Sequence, residues 1–290
     1  MVSTKEKNTF SNLFVKSKDI FVNNFLLILK FSLVFAFVGL ISQLIVIIDF
    51  ENQGINYVND VVATDFSMDV PLNTWPIMLV NIVLELLLAF LAIILIVNLY
   101  FNSIGKNKTI IESFDFTVSR LFYLIFTSIL QTILLIFLFI LLIVPGLIFS
   151  IYWIFVYLAV LFREKSFFNA LVYSFNLVRN NWWRTLGYLV ILLLIIIAVA
   201  MIFFFIFGLI MFFGNLNNTL YLIMTFIQIL VVLPFNYFLV IFLIQYFLAI
   251  EEEKKDELEL MEKAEVSDKK TDFKLNKKTT NKKTKIKAKK

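Results

Sequence analysis

Long apolar runs separated by short polar segments organise this chain, and the runs are the length of membrane spans rather than of core helices. A helix needs about 20 apolar residues, at a rise of about 1.5 Å each, to cross a hydrocarbon layer of about 30 Å. Runs of that kind occupy 25–48, 77–101, 186–213 and 220–250. The first spans 24 residues and ends without a small-x-small cleavage site. It reads as a retained helix, since a secretory signal has an apolar region of about 7–15 residues. Residues 121–162 are a longer case; as one helix they would reach about 63 Å, twice the membrane core. Pro145-Gly146 falls inside that stretch and is a strong turn signal. The pattern therefore predicts a tight hairpin, with helix three at 121–144 and helix four at 147–162. Helix four is short, so it is expected to run on past Arg163 or to sit in a thinned bilayer. The predicted fold is an all-α integral membrane protein of six transmembrane helices, arranged as three hairpins.

Shorter amphipathic segments precede some of these runs. In 166–185, Phe167, Phe168, Leu171, Val172, Phe175, Val178 and Trp182 recur at spacings of three and four, with Asn169, Tyr173, Asn176, Asn180 and Arg184 opposite. A helix of that pattern lies in the headgroup plane or packs on its own bundle. Residues 9–33 align with 166–190 at a constant offset of 157, with identities at Phe10/Phe167, Asn12/Asn169, Val15/Val172, Ser17/Ser174, Asn23/Asn180 and Asn24/Asn181. Residues 107–120 have a similar character. The expectation is three repeated units, with interfacial amphipathic helices preceding helices one, three and five.

Charge orients the spans. The segment 49–76 carries Asp49, Glu51, Asp60, Asp65 and Asp69 and no basic residue. The N-terminal lysines, Lys106, Lys108, Arg120, Arg163, Lys165, Arg179, Arg184 and the C-terminal tail all fall on the other side. Basic residues stay in the cytoplasm, so both termini are expected there. The domains are then a cytoplasmic segment 1–24, a six-helix membrane domain 25–250 and a charged tail 251–290. Within the tail, 251–265 carries a net −5, and 266–290, expected to be disordered, a net +9. A basic stretch beside a membrane attracts anionic lipid, and ribosomal RNA by the same phosphate chemistry, without specific nucleic-acid recognition.

Composition narrows the chemistry. The chain is 61% hydrophobic and 16% charged, against about 45–50% and about 25% in soluble domains. It has no Cys and no His, which removes disulfides, thiolate nucleophiles and the commonest general base and metal ligand. No Walker loop, HExxH or Gly-x-Ser-x-Gly is present. The expectation is a non-enzymatic protein without a cofactor, whose evident partner is the lipid bilayer.

The run Leu142-Ile143-Val144-Pro145-Gly146-Leu147-Ile148, then Arg163-Glu164-Lys165, Ala170-Leu171 with Ser174, and Asn180-Asn181-Trp182-Trp183-Arg184 resembles the YciC-like family of bacterial inner-membrane proteins. It is also similar to the membrane domain attached to some glycerophosphodiester phosphodiesterases. The likeness covers roughly residues 10–250 and is strongest over 142–190. It implies a multi-pass protein of the bacterial cytoplasmic membrane and singles out Pro145, Gly146, Glu164, Ser174, Asn181, Trp183 and Arg184; the expected role, structural or in membrane homeostasis, rests on the absence of a catalytic constellation. The likeness implies no activity.

Two ionisable residues fall inside predicted spans, Lys30 and Glu85. A charge at membrane depth is a functional-site candidate by default. With Asn81 they form a candidate polar site for a small transporter or lipid-handling protein, set against a snorkelled lysine and a carboxyl bonded within the bundle. A water-accessible cavity reaching Glu85 would favour transport; a packed interior would favour a scaffold.

Overall fold

The computed structural model describes residues 9–52, 75–106, 108–213 and 217–255. The acidic part of the segment after the first span and the basic stretch 266–290 lie outside the described residues, as do the roles expected of them. The chain divides into two compact units, 1–247 and 248–290.

All regular structure among the described residues is helical: α1 (Phe10–Asn23), α2 (Phe25–Asn52), α3 (Trp75–Ser103), α4 (Ile110–Leu141), α5 (Ile143–Tyr152), α6 (Val156–Arg163), α7 (Phe168–Arg179), α8 (Trp182–Phe213) and α9 (Asn218–Glu253). Six helical segments are long and apolar enough to cross a membrane, α5 and α6 together supplying one. Their apolar surface points outward. In the most apolar window of 182–203 only 6% of residues are buried, so the solvent for that surface is lipid rather than water. The molecule is a multi-pass membrane protein.

The helix ends follow from local chemistry. Asn24 stops α1 and starts α2: its Nδ2 and its backbone N–H donate to Ile20 O, and its own carbonyl accepts from Ile28 N at 3.0 Å. At offset 157, Asn181 repeats part of this, its carbonyl accepting from Thr185 N at 2.9 Å. Gly105, at φ +73°, ends α3 in a Schellman turn. There Lys106 N donates to Phe101 O and Gly105 N to Asn102 O. Thr109 and Glu112 form a reciprocal capping box at the start of α4.

Three expectations about elements change. No separate helix precedes span three, because residues 110–120 are continuous with it in one 32-residue helix. The 107–120 segment lacks the Asn-Asn pair that ends α1 and α7, and the capping box launches α4 directly. The turn after span three lies at Leu142 (φ −158°, ψ 132°), not at Pro145-Gly146. Pro145 sits in the first turn of α5, where its missing N–H is an orphan in any case. Span four is two helices, interrupted at residues 153–155.

Side chains from four helices make one core. Ile28 of α2, Leu95 and Leu99 of α3, and Tyr237 and Ile241 of α9 are buried together, with Ile20 and Phe21 of α1 against them. α1 is pinned by rings: Phe10 lies 5.1 Å from Phe242, and Phe14 5.2 Å from Phe238. Its inward stripe is 10, 13, 14, 17, 20, 21 and 24; that of α7, on α5, α6 and α8, includes Ala170, Leu171, Ser174, Leu177 and Val178. The two stripes coincide at offset 157. On α7 Ala170 and Ser174 turn inward with Leu171, Leu177 and Val178, while Phe168 and Val172, expected on one apolar face with Leu171 and Val178, are exposed.

Candidate functional site

The break in span four is the most elaborated polar feature of the interior. Interrupting a helix frees backbone N–H and C=O groups, and in lipid these must be satisfied by protein. Here Ser174 does so from α7. Its Oγ donates to Tyr152 O at 2.7 Å and accepts from Phe155 N at 3.2 Å. Gln131 of α4 donates from Nε2 to Trp153 O at 3.3 Å. One turn away, Thr127 Oγ1 accepts from Phe167 N at 3.0 Å. That bond holds Phe167 at φ +52°, ψ −131°, a region that glycine normally occupies. Ser174, Gln131 and Thr127 are all buried, so the break is held from two sides.

The surrounding family-like positions take structural posts. Gly146 is buried against α4: a Cβ there would stand 2.5 Å from the Phe139 ring. Glu164 ends α6 at φ 55° and pairs with Arg120, tying that end to α4. Asn181 begins α8 through its carbonyl, Thr185 donating from both N and Oγ1. Trp183 is 78% exposed, and half-buried Arg184 lies with its Cζ 5.7 Å from the Tyr246 ring. Pro145, Gly146 and Ser174 all serve the α4–α5–α6–α7 group, whereas Asn181, Trp183 and Arg184 belong to the start of α8.

The intramembrane candidates are not brought together. Lys30 and Glu85 are both exposed on the outer surface of their helices, and neither pairs with a described residue. Asn81 alone points into a helix contact, its Oδ1 accepting from Ser42 Oγ of α2 at 2.7 Å. Glu85 lines neither the cavity between α8 and α9 nor the one between α3, α4, α6 and α9. The same residues contain no cluster of His, Cys, Asp or Glu able to hold a metal.

A cavity of about 370 Å³ lies instead beside the break, between α3, α4, α6 and α9. Ile96, Leu121, Leu158 and Leu243 are among its walls, and Ser128 and Tyr157 are the polar residues that reach it. This cleft escaped sequence reasoning because its lining is ordinary span sequence. The break escaped it too: residues 152–155, Tyr-Trp-Ile-Phe, contain no helix breaker. The readable signals were the capping pattern Thr109-Ile-Ile-Glu112 and the polar Thr127 and Gln131 on one face of an otherwise apolar span. The helices establish a multi-pass membrane protein, and comparison with protein-family models, with curated proteins and with solved structures finds no match.

Proposed function

We propose that the chain is a non-enzymatic protein of the bacterial cytoplasmic membrane, of the YciC-like kind, with a structural or membrane-homeostasis role. The observation that carries the reading is where the intramembrane charges lie. Lys30 and Glu85 are on the outside, while buried polar groups such as Gln131, Ser174 and Thr127 hold backbone at helix junctions. That is the economy of a scaffold; a translocation path needs its ionisable groups facing a cavity.

Three hairpin units, with interfacial helices before spans one and five, make the best account of the repeat. Its support is the shared register of α1 and α7, their matching inward stripes and the exposed Phe168, Val172 and Val15 available to lipid. Both termini are assigned to the cytoplasm on the distribution of Lys and Arg, and the basic stretch 266–290 to anionic lipid or ribosomal RNA.

The test is complementation. In cells lacking the chain, the membrane barrier to a bulky dye should be restored equally by the parent and by a Lys30→Gln, Glu85→Gln double variant. If the double variant reaches parental levels in the membrane and fails to restore the barrier, the intramembrane charges do the work and the protein is a transporter.

A further inference from the structure

We infer that the cleft between α3, α4, α6 and α9 is a binding site for one anionic phospholipid, with an acyl chain in the cleft and the phosphate at the cations closing its end. The inference is independent of the scaffold reading but rests on the proposed cytoplasmic placement of the α3–α4 connection. The cleft lies within spans, where the surrounding solvent is acyl chain, and its volume of about 370 Å³ falls in the range of built ligand sites, about 300–1,000 Å³. Ile125 and Tyr157, both in its lining, are about half exposed, so it opens sideways to lipid. Its apolar walls suit a hydrocarbon chain and no polar solute.

What lies one helical turn further on identifies the headgroup. Residues four apart stack along one helix face, about 6 Å apart. From Ile96 that step leads to Tyr100, from Leu158 to Phe162, from Leu243 to Phe247 and from Leu121 back to Thr117, beside Phe116. These residues form a cap. Tyr100 stacks on Phe162 at 3.5 Å, and Phe116 lies 6.3 Å from Phe162 and 5.3 Å from Phe101. Cations sit on its rings. Lys108 Nζ is 3.9 Å from the Phe101 centroid and 4.9 Å from Phe116. Arg120 Cζ is 5.7 Å from Phe116, and Arg163 Cζ is 5.6 Å from Phe247 while its Nη1 donates to Tyr100 OH at 3.0 Å.

The charge around Lys108 favours an anion. Residues 104–120 hold Lys106, Lys108 and Arg120 against Glu112 and Asp115. Glu112 is engaged by the Thr109 cap, and Arg120 by Glu164. The half-buried Lys108 is fixed through its carbonyl, which accepts from Asn98 Nδ2 at 2.8 Å, and its ammonium makes no ion pair with a described residue. Basic pockets between spans at the cytoplasmic side are where anionic headgroups bind.

The test uses the full chain in mild detergent and counts retained lipid by native mass spectrometry. The probes are phosphatidylglycerol and phosphatidylcholine with identical acyl chains. The parent should retain one phosphatidylglycerol in preference. Lys108→Gln should weaken that preference about fivefold, and Lys108→Arg should keep it. Ser128→Phe, which fills the cleft, should lower retention of the anionic lipid, and Ser128→Ala should not. The basic tail is present in every variant and cancels. Equal retention of the two lipids by the parent overturns the inference, as does undiminished phosphatidylglycerol retention by a folded Ser128→Phe. If Ser128→Phe does not fold, the two Lys108 variants still decide, since equal preference in both removes the cap from the site.

Discussion

Two serines at equivalent positions of the repeat show how one residue type takes two jobs. Ser17 and Ser174 are both fully buried. Ser17 Oγ donates back to Leu13 O of its own helix at 2.7 Å, a local bond that adds little. Ser174 Oγ holds two backbone groups of another element, Tyr152 O and Phe155 N. Removing it leaves buried groups unsatisfied, at about 1–3 kcal/mol. Ser174→Ala should therefore lower the thermal unfolding midpoint in micelles clearly, and Ser17→Ala should cost under about 1 kcal/mol. Equal shifts in a scanning-fluorescence melt would show that Ser174 does not hold the break. The sequence pairs these serines by offset and is silent on the difference, because the partner of Ser174 is backbone that sequence gives no reason to think free.

Among elements, apolar length and tertiary contact divide the credit. The existence of six spans is legible in the apolar runs, and half of their ends fall within two residues, as in 77–101 against Trp75–Ser103, while most of the others shift by three or four. The start of span three at Ile110 is an exception, because nothing between 110 and 120 interrupts the helix. Pro145-Gly146 misleads for a physical reason: a proline marks a turn or the first turn of a helix with the same letters. Depth in a span likewise says nothing about which face a side chain takes, so Glu85 reads as buried in sequence and stands outside in the fold. These facts separate the two residues of the dipeptide. Pro145→Ala should leave the folded yield unchanged. Gly146→Ala should cost about 1–3 kcal/mol, since its Cβ would meet the Phe139 ring at 2.5 Å. Adding Phe139→Ala should recover part of that loss relative to Phe139→Ala alone, read as the monodisperse fraction after heating. A destabilised Pro145→Ala beside a tolerated Gly146→Ala would return the turn to Pro145.

For the whole molecule, the account rests on one arrangement. In the proposed topology, the α3–α4 connection, the end of α6 and the start of α8 share the basic side of the membrane, and Asn217 lies on the other. Outward apolar surface makes the chain a membrane protein, while the proposed direction rests on charge distribution. The cap that closes the lipid cleft has meaning only if its cations meet the anionic cytoplasmic leaflet. The native chain has no Cys, so single cysteines can be read against a clean background. Lys106, Asn180 and Asn217 are exposed and suit substitution, whereas Ser174 is fully buried and would stay silent on either side. The direct measurement is labelling of Lys106→Cys, Asn180→Cys and Asn217→Cys by a membrane-impermeant thiol reagent, in intact cells and after permeabilisation. The account predicts that Asn217→Cys labels in intact cells, with Lys106→Cys and Asn180→Cys labelling only once the membrane is opened; labelling of Lys106→Cys in intact cells would contradict it.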